Sequence, residues 1–572
     1  MIFFRRVGVV VSASLFAASL AAAQGPTTTQ LSSSSKIQHV LLVSVDGMHA
    51  VDYLNCANGI VTANGGQPYC PAIAALGATG VNYLSASTSR PSDSFPGLTA
   101  IVTGGSPAFT GVYYDVAYSR NYDAPAKTTG NGLGAGPCTP NAVPTGTTTE
   151  YEEGIDINQH KLNGGAPGAS LTDGGLNSID PKRLVRDPAN GCAPVYPWEF
   201  VRANSVFSVI HNAGGFAAWS DKHPAYASVA SGIGPSALDD FYAPEINSNV
   251  VPLPGVTTPT GISCARIRDK NSDLTAWTNS FENIQCYDTL KVDAVLHWID
   301  GMNHLGTQAS KVPTVFGMNF QAVSVGQKLI ENGVHGGYLD AQATPGASLL
   351  DEFKFVDASI AAFVSELQKQ GLSGSTLIVI TAKHGQSPID PNRYVSQLKI
   401  GTSPVTLLSN AGYIPFSEST NNPTGIGPTE DDVSLVWLSD TADTDSAVSI
   451  LEQNASATTG IALGQIYYGS SLELNFNNPT NDPRTPDIVV TPNVGVTYTG
   501  SSKKLEEHGG FAHDDTSVVL LLSNPGFKPK TVQAAVGTAQ VAPTILKALG
   551  LNPNALQAVQ VEGTPVLPAI PF

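Results

Sequence analysis

Four side chains suited to nucleophilic catalysis or metal binding are Asp46, Ser94, His384 and His508. A serine hydroxyl becomes a nucleophile when a base or a metal ion lowers its proton affinity, and aspartate and histidine are common ligands of divalent metals. Each residue alone has a plainer interpretation, since Asp46 can be a turn residue and Ser94 an ordinary helix cap. The four residues together favour a metal-assisted nucleophilic site.

Predicted strands and helices alternate along the chain and place these residues at element ends. Continuous apolar runs, typical of buried parallel strands, predict strands over His39–Val45, Pro313–Phe320, Thr376–Thr381 and Thr516–Leu522. Amphipathic or proline-led segments predict helices over Pro71–Gly80, Ser94–Thr103, Tyr287–Trp298, Leu350–Leu367 and Val541–Leu549, and a helix followed by a strand over Val206–Ser220. This order indicates an α/β fold with a mainly parallel sheet, in which ligand sites lie at the carboxyl ends of strands.

Composition excludes several classes of protein. Of the 572 residues, 13% are charged and 42% are hydrophobic, so the chain is no disordered polyelectrolyte. The 56 glycines and 40 prolines would break a long coiled coil. The formal net charge of −17 argues against a broad nucleic-acid-binding surface.

The first segment is typical of a secretory signal peptide. Residues 1–23 contain Arg5 and Arg6, a short apolar run and a small-residue end at Ala21-Ala22-Ala23. Residues 24–37 are predicted to form a flexible leader. Because no later stretch reaches ~18 uninterrupted apolar residues, we expect a secreted, extracellular protein without a membrane span.

The six cysteines all follow the predicted signal peptide. An even number of cysteines in a secreted chain suggests disulfides, with 15 possible pairings. We expect the pairing of sequence neighbours, and a zinc–cysteine site is disfavoured because no C-x2-C spacing occurs. The expected pairs are Cys56 with Cys70, Cys138 with Cys192, and Cys264 with Cys286.

Two segments interrupt the regular alternation. Residues 113–197 are rich in Gly, Pro, Thr and Asn and predict an irregular insertion. A strand–helix–strand pattern predicts a small α/β cap unit over about 405–480. We expect both to cap a single catalytic domain over 38–565, followed by a tail over 566–572.

Several motifs taken together resemble the alkaline-phosphatase-like superfamily and, within it, the type I phosphodiesterase/nucleotide pyrophosphatase branch. They are VLLVSVDGM around Asp46, SDSFPGLTAIVTGG around Ser94, NAGGFAAWSDKH ending at His223, TLIVITAKHG around His384, LEEHGGFAHDDTSVVLLLSNPG around His508, and VAPTILKALGL from Val541. The resemblance implies a three-layer sandwich with a mainly parallel central sheet and cap insertions.

The resemblance also implies roles for the four residues. In that branch Asp and His residues and an alcohol nucleophile in a [T/S]-F-P motif hold two metal ions, usually zinc, and for this chain we expect one or two divalent ions. Carried onto this chain, the pattern implies Ser94 as the nucleophile and Asp46, Ser94, His384 and His508 as metal ligands. Two metals can polarise a phosphoryl group and stabilise the leaving oxygen.

The chain departs from that pattern at Lys383, where the branch usually has an aspartate before the histidine. A protonated lysine cannot replace a carboxylate ligand. We expect a catalytic role in which Lys383 supplies positive charge to a phosphate or sulfate oxygen. The alternative is a surface lysine beside a turn.

A second departure concerns the D-x-x-x-H ligand pair of the branch. After the strand over Pro313–Phe320, the matching positions are Val323 and Gln327. Upstream, Asp300 and His304 have the right i, i+4 spacing. If these two residues bind, a first metal site forms with His508; if they do not, one metal remains at most.

Three functions remain open. The first is a secreted, metal-dependent phosphoric ester hydrolase that acts on phosphodiester or pyrophosphate bonds of a small phosphate ester or nucleotide. The second is a sulfate or phosphonate ester hydrolase, although the Ser94 motif lacks the Arg of formylglycine sulfatases. The third is a non-catalytic binding member of the fold. Lys222 and His223 are interpreted as residues that close a strand, with a place near the site as the alternative.

Overall fold

The computed structural model describes residues 31, 36–152, 154–165, 173–249, 255–264, 277–414, 428–456, 460–498 and 504–572. The predicted signal peptide over 1–23 and most of the predicted leader over 24–37 lie outside the described residues.

Two larger sheets organise the described part of the chain. Their strands are β1 His39–Val45, β2 Val81–Tyr83, β3 Ala218–Ser220, β4 Asp240–Tyr242, β5 Val315–Phe320, β6 Thr376–Thr381, β7 Pro428–Glu430, β8 Ser434–Val436, β9 Leu463–Tyr467, β10 Ile488–Pro492, β11 Leu520–Ser523 and β12 Lys530–Val532. The central sheet has the order β12-β2-β11-β6-β1-β5-β3-β4. Within it β11 is antiparallel to β2 and β6, and the other pairings are parallel.

The described α-helices of six or more residues flank these sheets. They are α1 Ala50–Asn58, α2 Pro71–Thr79, α3 Ser94–Thr103, α4 Val206–Asn212, α5 Phe281–Ile299, α6 Ala322–Lys328, α7 Ala347–Lys369, α8 Pro404–Asn410, α9 Thr444–Gln453, α10 Val541–Ala548 and α11 Gln557–Glu562.

Strand β1 divides the hydrophobic core into two layers. Val40 and Leu42 face a cluster that includes side chains of α3, α4 and α10. Leu41, Val43 and Val45 face a second cluster that includes side chains of α2, α5 and α7. Side chains alternate between the faces of a strand, so a continuous apolar run fits a strand covered on both faces. The predicted three-layer α/β fold with a mainly parallel sheet is confirmed.

Predicted and observed element bounds differ where tertiary packing extends or shortens a local pattern. The helix predicted over Leu350–Leu367 extends to Ala347–Lys369, and the one predicted over Tyr287–Trp298 begins at Phe281. The strand predicted over Thr516–Leu522 is observed as Leu520–Ser523, because His513–Thr516 forms a helical turn before it.

The two segments that interrupt the alternation have their own structure. Within the insertion, Val116–Ser119 pairs with Thr147–Glu150 in an antiparallel ladder. In the cap unit, β7 to β10 form an antiparallel sheet with the order β7-β8-β10-β9, so this sheet extends to Pro492, beyond the predicted end near 480.

Disulfides join the cysteines as sequence neighbours. The bonds are Cys56–Cys70, Cys138–Cys192 and Cys264–Cys286, which confirms the expected pairing. Among the described helices, none combines the length and the apolar character that crossing a bilayer requires.

The Cys138–Cys192 bond closes a loop with a sequence separation of 54 residues in the irregular insertion. Both cysteines are only half-buried, so replacing them by serine costs little packing. For a loop of this length the chain-entropy model gives a stabilisation of about 4 kcal/mol. We therefore expect the Cys138→Ser/Cys192→Ser variant to open the insertion. Limited proteolysis under non-reducing conditions measures this, and an unchanged cleavage rate within the insertion would contradict the prediction.

Candidate functional site

The parallel pairing of β1 and β6 brings two predicted site residues to one edge of the sheet. Ser44 is in register with Thr381, so the residues after both strands emerge side by side. The Gly47 amide donates a hydrogen bond to the carbonyl of His384, with an N···O distance of 3.1 Å. Asp46 and His384 therefore lie together, as the alternating pattern predicts.

Ser94 enters the same place as the first residue of α3. The side chain of Asp93 caps this helix by accepting a hydrogen bond from the Phe95 amide. Gly97, one turn into α3, lies so close to the 383–385 loop that a Cβ atom there would be 2.1 Å from the carbonyl oxygen of Lys383. Glycine at this position is what lets the turn that carries Ser94 pack directly on the loop that carries His384.

Three polar atoms meet at the site. Ser94 Oγ lies 3.1 Å from His384 Nε2 and 3.4 Å from Asp46 Oδ2, and the last two atoms are 3.5 Å apart. All three residues are buried.

The tautomer of His384 follows from its second ring nitrogen. Nδ1 lies 2.9 Å from the carbonyl oxygen of Gly385, which can only accept, so Nδ1 carries the proton. The lone pair of Nε2 therefore points at Ser94 and Asp46. This arrangement, a histidine oriented through a backbone carbonyl, is common among metal ligands.

Asp46 is held as a carboxylate. Burial opposes its ionisation, but the positive charge of Lys383 keeps the pKa of Asp46 well below its usual value. Its Oδ2 accepts hydrogen bonds from Gln321 Nε2 at 2.6 Å and Asn319 Nδ2 at 3.2 Å, whereas Oδ1 is buried without a hydrogen-bond partner.

These atoms fit a divalent metal ion. Tetrahedral zinc with bonds of about 2.0–2.1 Å separates its ligand atoms by about 3.3 Å, and the three observed separations are 3.1, 3.4 and 3.5 Å. Asp46 Oδ1, which has no hydrogen-bond partner, is a further possible ligand atom for a metal. Asp46, Ser94 and His384 can therefore hold one metal and leave a position open, as in catalytic zinc sites.

Lys222 also contacts the predicted nucleophile, although its position in the sequence favoured a residue that merely ends a strand. Its Nζ donates a hydrogen bond to Ser94 Oγ at 3.0 Å and forms an ion pair with Glu152. Burial lowers the pKa of Lys222 to about 7. The available sequence signal was its place directly after the AWSD segment of β3, which ends at the same edge as β1 and β5.

Lys383 is buried, which argues against the surface alternative. Its Nζ lies 2.8 Å from Asp221 Oδ1 and 3.9 Å from the centre of the Tyr226 ring. The ammonium is thus anchored beside the site, where its positive charge lowers the pKa of Asp46.

His508 lies at the rim of the same group. Its ring centre is 4.1 Å from that of His384, and its Nδ1 is 3.6 Å from Asp93 Oδ2. Burial lowers the pKa of His508 well below its usual value, and His384 lowers it further. A neutral imidazole of this kind can act as a ligand.

The structure does not bring Asp300 and His304 to this site. The Nδ1 atom of His304 lies 2.6 Å from Asp240 Oδ1, and Asp300 Oδ1 accepts a hydrogen bond from Gln370 at 2.7 Å. Both residues lie in the connection from α5 to the amino end of β5. At ~3.3 Å per residue, the six residues of β5 separate them from the carboxyl edge by about 20 Å. The i, i+4 spacing here marks a helix end and turn.

The other candidate positions for a first metal lie near the site but carry no acid or imidazole. Val323 is a buried apolar residue of α6. Gln327 donates hydrogen bonds from Nε2 to the carbonyl of Gly47 at 2.8 Å and to Tyr338 Oη at 2.7 Å. Both side chains serve packing and hydrogen bonding.

Three carboxylates near Ser94 were not singled out from the sequence. One ligand atom each of Asp93, Asp115 and Glu152 lies within 4.8 Å of the others, a spacing that can hold a metal ion. Asp115 and Glu152 belong to the irregular insertion, whose low periodicity carried no signal for them.

A family model for type I phosphodiesterase/nucleotide pyrophosphatase matches residues 40–152 and 291–514. The chain belongs to this family. The predicted family and the predicted class, hydrolases of phosphoric ester or pyrophosphate bonds, are thereby confirmed. The family match spans Asp46, Ser94, His384 and His508 but leaves out the segment that carries Lys222.

Solved structures resemble the chain at low sequence identity. An inactive variant of murine ectonucleotide pyrophosphatase/phosphodiesterase 5 in complex with AMP matches with a TM-score of 0.50 and 13% identity, over 90% of this chain and 96% of that chain. The murine protein that is not this inactive variant matches with a TM-score of 0.49 and 14% identity. The human protein matches with a TM-score of 0.48 and 13% identity. Both matches cover 90% of this chain and 96% of the other chain. The first likeness supports the fold. No curated protein sequence matches significantly.

The donor geometry makes a prediction about metal content. We expect the purified chain to retain about one equivalent of zinc after dialysis, and His384→Ala to retain less than about 0.2, because two remaining ligands hold zinc weakly. His335→Ala, at an exposed histidine in the strand Val334–His335, is the matched control and keeps its zinc. Metal analysis by mass spectrometry measures all three, and full zinc in His384→Ala would exclude this ligand set.

Proposed function

We propose that the chain is a metal-dependent hydrolase of phosphodiester or pyrophosphate bonds in which Ser94 is the nucleophile. The observation that carries this proposal is the placement of Ser94 Oγ within 3.5 Å of both Asp46 Oδ2 and His384 Nε2. Membership of the family supports the reaction class. The small nucleotide or phosphate-ester substrate is proposed from the family and from the AMP bound by the structural neighbour.

The reaction takes two steps. Ser94 Oγ bonds to phosphorus, the bond from phosphorus to the leaving oxygen breaks, and the leaving group takes up a proton from water. A water molecule then bonds to phosphorus, and the bond to Ser94 Oγ breaks. The proton that Ser94 loses in the first step passes to solvent water, and the attacking water supplies the proton that Ser94 Oγ gains in the second.

Residues of the chain prepare the first step. Ser94 lies at the amino end of α3, where the helix dipole favours an alkoxide and a bound anion. Asp46 and His384 would hold the metal, which when bound would supply Lewis-acid charge to the serine hydroxyl. Lys383 acts on this pair by keeping Asp46 ionised. His508 can supply a further ligand.

We also propose that the protein is secreted. Residues 1–23 have the pattern of a signal peptide, and the three disulfides fit an oxidising compartment. Amino-terminal sequencing of the protein from the culture medium of an expressing host tests this proposal. A chain that starts near residue 24 supports it, and a chain found only in the cytosol with residues 1–23 intact contradicts it.

Removal of the nucleophile tests the reaction. We expect Ser94→Ala to lower kcat for bis(4-nitrophenyl) phosphate at least about 1,000-fold, because it removes the hydroxyl that contacts both Asp46 and His384. Ser89→Ala, whose hydroxyl donates to the carbonyl of Pro91, is the control and keeps its activity. Acid quenching and peptide mass spectrometry should find the transferred phosphoryl group on Ser94.

Undiminished hydrolysis by Ser94→Ala would refute the nucleophile. Parallel assays with 4-nitrophenyl sulfate and a phenylphosphonate ester separate the alternative ester classes. Activity on those esters alone would replace the proposed substrate class, and loaded zinc without any hydrolysis would favour a binding member of the fold.

A further inference from the structure

A lysine amine also contacts Ser94 Oγ. Lys222 Nζ lies 3.0 Å from the hydroxyl oxygen, closer than either His384 Nε2 or Asp46 Oδ2. A lysine ammonium has only donors, so the hydroxyl oxygen accepts from it. Ser94 Oγ is therefore in contact both with two candidate metal ligands and with a lysine side chain.

The position of Lys222 is fixed by its backbone. Its amide donates to Asp221 Oδ1 at 2.8 Å, and its carbonyl accepts from the Ile246 amide at 3.0 Å and from Tyr287 Oη at 3.2 Å. The side chain is 9% exposed and ends in the ion pair with Glu152. Because the side chain is held at both ends, it loses little conformational entropy when a substrate binds.

Within the described residues, the positions of the family's D-x-x-x-H pair supply no second metal site. Val323 and Gln327 offer no carboxylate or imidazole, and Asp300 and His304 lie at the far edge of the sheet. Of the three carboxylates Asp93, Asp115 and Glu152, whose spacing can hold a metal ion, Glu152 is the ion-pair partner of Lys222.

We propose that Lys222 is a catalytic residue whose ammonium binds a non-bridging phosphoryl oxygen and stabilises the charge that develops there during attack by Ser94. The role presupposes the serine mechanism proposed above. Lys222 would supply one positive charge beside phosphorus and the metal at Asp46 and His384 the other, so the reaction would need one metal ion.

The ammonium keeps its three protons throughout both steps. It donates to Ser94 Oγ before attack and to a phosphoryl oxygen as the oxygen–phosphorus bond forms. The leaving group takes its proton from water, as in the mechanism above.

Lys383 does not have the same role. Its ammonium is bound to Asp221 and lies over the Tyr226 ring, and no hydrogen bond to Ser94 is recorded for it within the described residues. Lys383 and Lys222 therefore have different roles. Lys383 favours the ionised form of Asp46, and Lys222 binds the reacting oxygens.

Truncation of the amine tests this proposal. In the zinc-loaded enzyme, Lys222→Met should lower kcat for bis(4-nitrophenyl) phosphate about 100- to 1,000-fold, the effect of removing one donor to a developing charge. Zinc content should stay unchanged, and inorganic phosphate should bind more weakly in calorimetric titration. Lys127→Met, at a half-exposed lysine in the insertion, is the control.

Chemical rescue separates a catalytic role from a structural one. Propylammonium replaces the atoms missing in Lys222→Ala and should restore activity saturably, whereas tetramethylammonium, which has no N–H donor, should not. Rescue by both salts, loss of zinc in Lys222→Met, or more than about one third of wild-type activity in Lys222→Met would overturn the proposal.

The two proposals fail differently. A zinc-loaded wild-type enzyme without hydrolytic activity would overturn the serine mechanism and the lysine role together. An active wild type with an equally active Lys222→Met would overturn the lysine role alone and leave Ser94 as the nucleophile.

Discussion

The register of β1 between β5 and β6 is the constraint on which the site depends. The three strands are parallel and in register over most of their length, so they end together. Their carboxyl ends place Asp46, His384 and the amides of Asn319 and Gln321 around one point. Because side chains alternate across a strand, a slip of one residue would exchange the two core layers, so packing of the cores holds the site in register.

Burial of charge is the second condition that the fold satisfies. A charged group inside a protein is tolerated when an opposite charge or several hydrogen bonds compensate it. Here Lys383 faces Asp221, and Lys222 faces Glu152. These two ion pairs allow the three-layer fold to bury both ammonium groups near Asp46 with little exposure to water. Although only 13% of the residues are charged, several of these charged residues are buried together around Ser94.

Local patterns in the sequence were sufficient for much of the fold. The apolar runs of β1 and β6 and the proline-led start of α3 predicted their elements, and chain proximity predicted the disulfides. The pairing of Lys222 with Ser94 joins residues 128 positions apart in the sequence, and no local pattern contains it. Asp300 and His304 show the opposite case. Their i, i+4 spacing matches the family's ligand pair, but they lie near the amino end of β5, away from the site at its carboxyl end.

The site is assembled from two kinds of scaffold. Asp46, Ser94, His384 and Lys222 come from the ends of sheet strands or from the helix beside them, whereas Asp115 and Glu152 come from the disulfide-bridged insertion. An exchange of that insertion for one of different sequence would leave the sheet intact and alter the counter-charge of Lys222. The charge around Ser94 Oγ can thus be changed through a loop, independently of the residues that the fold itself requires.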